Sequence, residues 1–518
     1  MSASTNISAQ LMPAVPAHLQ SRIVSGMRWT LWLSVLAAPF SYGPTILLAR
    51  VGPEVIGTYG LLLLYVSIVS GLFYLGGDAV VIKFIPELDP SRRLAFLLSY
   101  FLVIIAALAP WLALATVWPG VLHWVFGAPS GRSVQLWALY LSPIYLLFSL
   151  VVADLKAVLN MRMANTLIRL LTLGTFATYA ILYLGFRDLL RAHYTVLVWG
   201  IYLVLTALLF GVGLGRLLRR PGVRSGVRSL RFFLPAGFWK YTLTLQENSI
   251  LNLVSGRIDY VLILNSGGLA ILGEYVALTQ FAQTIQAAST YFLDTLLPAL
   301  TNLRASGNQA GASRVFAMHL RILFVLSLAI VCALMFLAAP ITALLGPQYR
   351  GLVRPFVLAL LFTGLSLPGS TGGTLLISVG KQQLAVWVRM AQLGLFVILF
   401  FALWPGWRLL GAILAFGISL LACNVALLVV ARIKGGLQFA AFNDYGKFVL
   451  VGGAAAAFAV TILPSRIYLA APAWAVAMGG FLYLAGYRRA ECRALAACYI
   501  PSRFLERFDQ TDSKGEGY

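Results

Sequence analysis

Apolar runs of eighteen or more residues recur from about residue 29 to residue 487, separated by short clusters of Arg, Lys, Asp, Gly and Pro. Each run is long enough to cross ~30 Å of hydrocarbon as a helix. The runs are continuous rather than alternating, which favours helices over a barrel. The pattern predicts fourteen helices, near 29–49, 57–85, 94–117, 134–158, 163–186, 194–217, 238–264, 269–300, 320–345, 353–379, 383–404, 407–431, 446–463 and 467–487. The expected fold is all-α and integral to a membrane.

Polar stretches divide these helices. A small polar tail, 1–28, carries Pro13 and Pro16. Residues 29–217 form a first set of six helices and 238–431 a second set. A basic linker, 218–237, joins them. An extra helix pair, 446–487, and a basic tail, 488–518, complete the chain. The first span is too long for a removable signal peptide and lacks a small-residue cleavage site.

The two sets share a text. GPEVIGTYGLLLLYVSIVSGLFYLGGDAVVIKFIPEL starts at Gly52, and GLAILGEYVALTQFAQTIQAASTYFLDTLLPAL starts at Gly268. Gly52, Gly57, Tyr59 and Asp78 match Gly268, Gly273, Tyr275 and Asp294 at a constant offset of 216 (52 to 268, 78 to 294). Each copy closes on an aliphatic-Pro-x-Leu, Ile85 to Leu88 and Leu297 to Leu300. Both copies start on the same side of the membrane. The sequence therefore describes two six-helix bundles of parallel repeat, related by an axis along the membrane normal. In transporters of that kind the substrate site lies between the halves near mid-membrane.

Composition changes the picture in two respects. The chain is 60% hydrophobic and 10% charged, with a net charge of +22. Nucleic acid is not the implied partner: about 29 of the 38 Lys and Arg fall on one side, as expected for cytosolic loops facing anionic lipid. This bias places both termini in the cytosol. The four cysteines have no metal or disulfide spacing, and Cys332 and Cys423 sit inside apolar runs.

A charge inside a membrane helix is costly and usually faces a bundle interior or a watery cavity. The seventh and eighth helices hold the richest collection. The seventh carries Lys240, Gln246, Glu247, Asn248, Asn252, Arg257 and Asp259; the eighth carries Glu274, Gln280, Gln283, Gln286 and Asp294. The three glutamines, spaced by three, lie along one side of the helix. These residues, Glu274 and Asp294 apart, are the expected substrate pathway, with Glu247 the sharpest member because it is deep and lacks a sequence-local cation. Lys240 lies about two turns away, where it can also snorkel. Asp78, with Lys83 about one and a half turns below it, and its repeat equivalent Asp294 are expected near the cytosolic ends of the second and eighth helices, as gate or ion-pair residues. Lys156 is read as an ordinary cytosolic-end positive. Pro368, Gly369, Gly372 and Gly373 mark a bend in the tenth helix, either a hinge or a packing kink.

The stretch LLARVGPEVIGTYGLLLLYVSIVSGLFYLGGDAVVIKFIPEL resembles the opening of the polysaccharide-transport family, the Wzx-type lipid-linked oligosaccharide flippases. SGRIDYVLI, with Asp259, and LLGPQYRGLVRPFVLALL, from Leu344, are similar to later segments of that family. The resemblance covers most of the chain to about residue 430. It implies membership of the multidrug/oligosaccharidyl-lipid/polysaccharide exporter superfamily and a fold of two six-helix bundles in a V. It also implies flipping of undecaprenyl-diphosphate-linked oligosaccharide from the cytosolic to the periplasmic leaflet of a bacterial inner membrane, for surface or exopolysaccharide synthesis including lipopolysaccharide. The implied partners are the polyprenyl-diphosphate-linked glycan, membrane lipid, and polysaccharide polymerase and chain-length proteins. Arg257 and Lys240 would then meet the diphosphate, and Gln246, Glu247, Gln280 and Gln283 the sugars.

One other reading stays open, and a third, an enzyme, is not expected. An ion-coupled multidrug-type exporter would use Glu247 to bind a cation or proton. A membrane-embedded glycan enzyme would need an external loop bearing a catalytic cluster, and His123 and His193 are isolated. No catalytic or metal-ligating set is expected. The sequence has no phosphate-binding P-loop and implies no cofactor, and it does not identify the coupling ion.

Overall fold

A computed structural model describes residues 40–118, 132–158, 160–219, 231–305, 309–435 and 476. The tail 1–28, most of the linker 218–237, the helix pair 446–487 apart from Val476, and the tail 488–518 lie outside the described residues.

The described chain is almost entirely helical. The first helices are α1 (40–51), α2 (Pro53–Phe73), α3 (Asp78–Glu87) and α4 (Pro90–Val117). Then come α5 (Arg132–Ala157), α6 (Met161–Gly185), α7 (Arg187–Ala192) and α8 (Tyr194–Leu218). Beyond the linker run α9 (Phe238–Ala305), α10 (Gln309–Phe336) and α11 (Ala338–Leu345). The series ends with α12 (Val353–Ser366), α13 (Thr371–Ser378) and α14 (Gln382–Gly435).

Local chemistry sets many of these boundaries. Pro53 and Pro90 stand in first turns, where a missing N–H costs nothing. Glu54 and Asp78 place carboxylates at helix starts, favourable to the macrodipole. The Asn160 side chain caps α6 by accepting from the Met163 N–H at 3.3 Å.

Among the described residues, eight segments are long and apolar enough to cross a membrane. Two are too long for one crossing: Phe238–Gln283 has 46 residues and Gln382–Lys434 has 53, about 70 and 80 Å of helix. Each is broken where two helices were expected to meet, at Gly268 (φ 78) and at Arg408 (φ 43). The expected single helix 57–85 is instead two. Leu75, Gly76 and Gly77 take φ values of 41, 84 and 64, which ends α2 and restarts the chain as α3.

The chain divides into two compact units, the division falling between Ala277 and Leu278. In the first, α5 is central and packs on α2, α3, α4, α6 and α8. Its core is rich in tyrosine: Tyr65, Tyr100, Tyr179, Tyr260 and Tyr275 are almost fully buried. Tyr65 meets Ser142 of α5 at 2.6 Å. Ser142 gives its own proton to the Ala138 carbonyl, so Tyr65 is the donor. Outward positions such as Leu102, Leu114, Ile181, Leu184, Val204 and Leu208 stay exposed, as lipid-facing side chains do.

In a bilayer, helix association depends on close packing more than on apolar burial, so small residues gather at crossings. The matching glycines of the two repeats show this reciprocally. A methyl group on Gly57 would overlap the Leu269 carbonyl, and one on Gly273 would overlap the Pro53 carbonyl. Pro53 and Leu269 are themselves equivalent under the offset of 216 (53 to 269). Gly60 likewise touches its own equivalent, Val276. The two copies of the motif therefore meet each other through the same residues.

In the second unit, α14 packs on α12 and α13, and α10 on α12. The turn Leu367–Ser370 between α12 and α13 is a buried 3-10 helix.

Candidate functional site: a polar cavity in the first unit

The break after α2 is held from two sides, by α9 and α4. Gln246 of α9 donates its amide to the Gly71 and Leu72 carbonyls, at 2.8 and 2.9 Å. Its carbonyl accepts from the Gly76 N–H at 3.0 Å. The Tyr100 hydroxyl of α4 reaches the carbonyls of Tyr74 and Leu75, at 2.7 and 2.9 Å. Backbone groups freed where the helix stops are thus paired within an apolar bundle, where an unpaired one would be costly.

This turn aims Asp78 inward at the start of α3. One carboxylate oxygen accepts from the Tyr74 hydroxyl at 3.1 Å. The other pairs with Lys156 at the end of α5, at 2.5 Å. Lys83, the sequence-local candidate for that pair, turns away and stands 4.0 Å from the centre of the Tyr241 ring. The observed partner of Asp78 is therefore Lys156, seventy-eight residues along the chain (78 to 156).

Above the ion pair lies a cavity of about 440 Å³. It follows one face of α2 through Tyr59, Leu63, Ser70 and Tyr74 to Asp78, and α5 supplies Tyr145, Phe148, Ser149, Val152 and Lys156. Thr172 and Thr175 of α6 and Tyr202 of α8 close it. From Tyr59 to Tyr74 the face spans about 22 Å. Ser70, Thr172 and Thr175 donate to the carbonyls of Val66, Ile168 and Leu171, so toward the cavity they offer lone pairs. The walls thus combine hydroxyl acceptors, phenols and aromatic faces. Asp78 and Lys156 are the charged residues among its lining, and they cancel.

The residues singled out on α9 divide by environment. Gln246 is buried and committed to the α2 break. Asp259 is buried, and its Oδ2 accepts from the Tyr275 hydroxyl at 2.7 Å. Arg257 lies 5.0 Å from the Tyr260 ring. Lys240 and Glu247 are exposed. Asn248 and Asn252 follow on the same helix. Gln280, Gln283 and Gln286 fall in the second unit, where Gln283 is exposed and the other two are half-buried. Asp294 follows on the same helix. Pro368 and Gly369 sit in the 3-10 turn. Gly372 presses on the backbone of Leu427 and Leu428, and Gly373 follows it in α13.

Sequence reasoning passed over the cavity. Its signal on α5 was a polar stripe, Ser142, Tyr145, Ser149 and Lys156, at spacings of three, four and seven, which keep to one helix face. The contribution of α2, Tyr59 and Tyr74, was hidden among apolar neighbours.

No family model and no curated protein matches the sequence. Solved structures do match in fold. The lipid II flippase MurJ, in an inward closed conformation, aligns with a TM-score of 0.64 at 13% identity, covering 89% of this chain and 99% of that one. An inward-facing multidrug resistance transporter of the MATE family, in the MOP superfamily, aligns at 0.63 and 15% identity, covering 79% and 96%. A MOP superfamily transporter from Pyrococcus furiosus, reported to have a binding pocket of reverse polarity, aligns at 0.53 and 15% identity, covering 80% and 94%. The chain shares the overall fold of these solved proteins.

Proposed function

We propose that this membrane protein is an alternating-access transporter that flips undecaprenyl-diphosphate-linked oligosaccharide from the cytosolic to the periplasmic leaflet. The observation that carries the reading is a hydroxyl- and phenol-lined cavity inside an otherwise apolar bundle, with its charges internally cancelled. Sugars need such a surface to cross hydrocarbon, while a polyprenyl tail can stay in lipid. The fold shared with a lipid II flippase over 89% of the chain supports the same reading. Glu247 in the first unit and Gln283 in the second, each exposed on α9, are proposed as further polar contacts for the substrate, and Arg257 as a cation for the diphosphate. Gln246 has given its whole amide, and Asp259 its Oδ2, to the protein itself, which leaves them a supporting role. The 3-10 turn at Pro368 is the proposed hinge.

The multidrug-exporter reading fits the fold equally well. A cation exporter gains from an acid free to meet its substrate, whereas the carboxylate of this cavity is already paired with Lys156. The enzyme reading has no counterpart among the solved structures named above, which are transporters and a flippase.

The test uses cells lacking the chain, from which undecaprenyl-linked lipids are extracted. A complete oligosaccharide intermediate should accumulate facing the cytosol, and the native chain should clear it. Unchanged lipid intermediates together with new sensitivity to cationic drugs would replace the flippase with the exporter.

A further inference from the structure

We infer that the cavity of the first unit is a binding subsite for a neutral pyranose ring, distinct from the α9 path along which the sequence places the substrate. The inference rests on the glycan reading above and names what one site within it recognises.

Size admits such a ligand, since 440 Å³ falls within the ~300–1,000 Å³ of small-molecule pockets. The hydrogen-bonding inventory then selects among ligands. Ser70, Thr172 and Thr175 have spent their protons on helix carbonyls and present acceptors. Tyr59 and Tyr202 line the cavity, and no described residue hydrogen-bonds either hydroxyl. Each phenol is therefore available to donate and accept. Lys156 keeps further N–H donors beyond the one given to Asp78. A sugar hydroxyl likewise donates and accepts, so a pyranose can answer a wall that mixes both. Its apolar face has the rings of Tyr145 and Phe148 to lie against.

Two other ligand classes fit less well. An apolar drug would cover the two phenols and the ion pair while returning no hydrogen bonds, a desolvation cost without compensation. An acidic sugar would bring a carboxylate to a site whose cation is already neutralised by Asp78, so charge gives it no advantage.

The experiment uses the full chain in lipid nanodiscs. Soluble probes are the methyl glycosides of glucose, galactose, N-acetylglucosamine and rhamnose, with methyl glucuronide and tetraphenylphosphonium, all read by saturation-transfer NMR. Lipid probes are undecaprenyl diphosphate and its N-acetylglucosamine derivative, read by native mass spectrometry. At least one neutral glycoside should bind and should compete with the sugar-bearing lipid. Tyr59→Phe combined with Tyr202→Phe, which removes two hydroxyls and little volume, should weaken binding about tenfold. Ser149→Leu, which fills the cavity, should abolish it, and thermal unfolding identifies variants that remain folded.

The inference is overturned if no neutral glycoside binds, if both variants bind like the native chain, or if the glucuronide or tetraphenylphosphonium binds most tightly. Equal binding of undecaprenyl diphosphate with and without its sugar overturns it too. The cellular assay separates this inference from the flippase reading. Cavity variants that clear the lipid intermediate normally would overturn the subsite and keep the flippase. Glycoside binding that depends on the cavity, in a chain whose loss causes no accumulation, would keep the subsite for a free sugar and overturn the flippase.

Discussion

Gln246 and Glu247 are neighbours on one helix, and the structure gives them opposite circumstances. Gln246 closes three hydrogen bonds around the α2 break, while Glu247 is exposed. Gln246→Leu keeps the volume and strands one N–H and two carbonyls. It should cost about 1–3 kcal/mol and lower the unfolding midpoint in detergent, whereas Glu247→Leu should leave that midpoint nearly unchanged. Asp78 and Lys156 support a second prediction. Asp78→Asn and Lys156→Gln should each destabilise the chain, and the double variant should lose less than their sum, by about 0.5–3 kcal/mol. A double-mutant cycle of thermal unfolding checks this. At this scale the sequence marked Gln246 and Glu247 alike, because polarity identifies a residue that needs a partner and does not identify the partner. Adjacent helical positions are about 100° apart, so only the surrounding packing decides which one turns inward. The same limit hid the pairing of Asp78 with Lys156, whose residues are joined by the fold and not by local spacing.

The elements are governed by backbone approach. Gly273→Ala would drive a methyl group into the Pro53 carbonyl, and Gly57→Ala one into the Leu269 carbonyl. Both should sharply reduce the yield of folded protein, read as the monodisperse fraction after solubilisation. Gly256→Ala is the control: among the described residues no atom beyond its own helical turn lies within 4 Å of the added methyl, so the change should raise stability by up to about 1 kcal/mol through helix propensity. Gly76→Ala combines a left-handed φ of 84 with a methyl held 2.8 Å from Val80, and should cost about 1–3 kcal/mol. The repeat was legible at this scale because its glycines, tyrosines and acids keep constant spacing. The break between α2 and α3 was not, although Gly76 and Gly77 stand in plain sight. Apolar runs lie on both sides of the stretch Gly76-Gly77-Asp78, and window-averaged hydropathy reads through it as one helix.

For the whole molecule, hydropathy was sufficient to recognise an all-helical membrane protein, and the internal breaks at Gly268 and Arg408 fall where two spans were expected to meet. The position at which the chain divides into units was less visible. The first arm of α9 follows the basic linker, yet it belongs with the first unit and holds the α2 break through Gln246. A chain cut within 220–230 and expressed as two pieces should therefore still associate, and Gln246→Leu should weaken their co-purification. The glycine crossing has a further consequence. Because Gly57 meets Leu269 and Gly273 meets Pro53, the contact is self-complementary in the manner of a two-fold dimer. A primitive half-length chain bearing a single copy of the motif would have needed no foreign partner. Two copies, inserted in the same direction, would have closed upon each other as a homodimer, and gene fusion would then have joined subunits already built to touch.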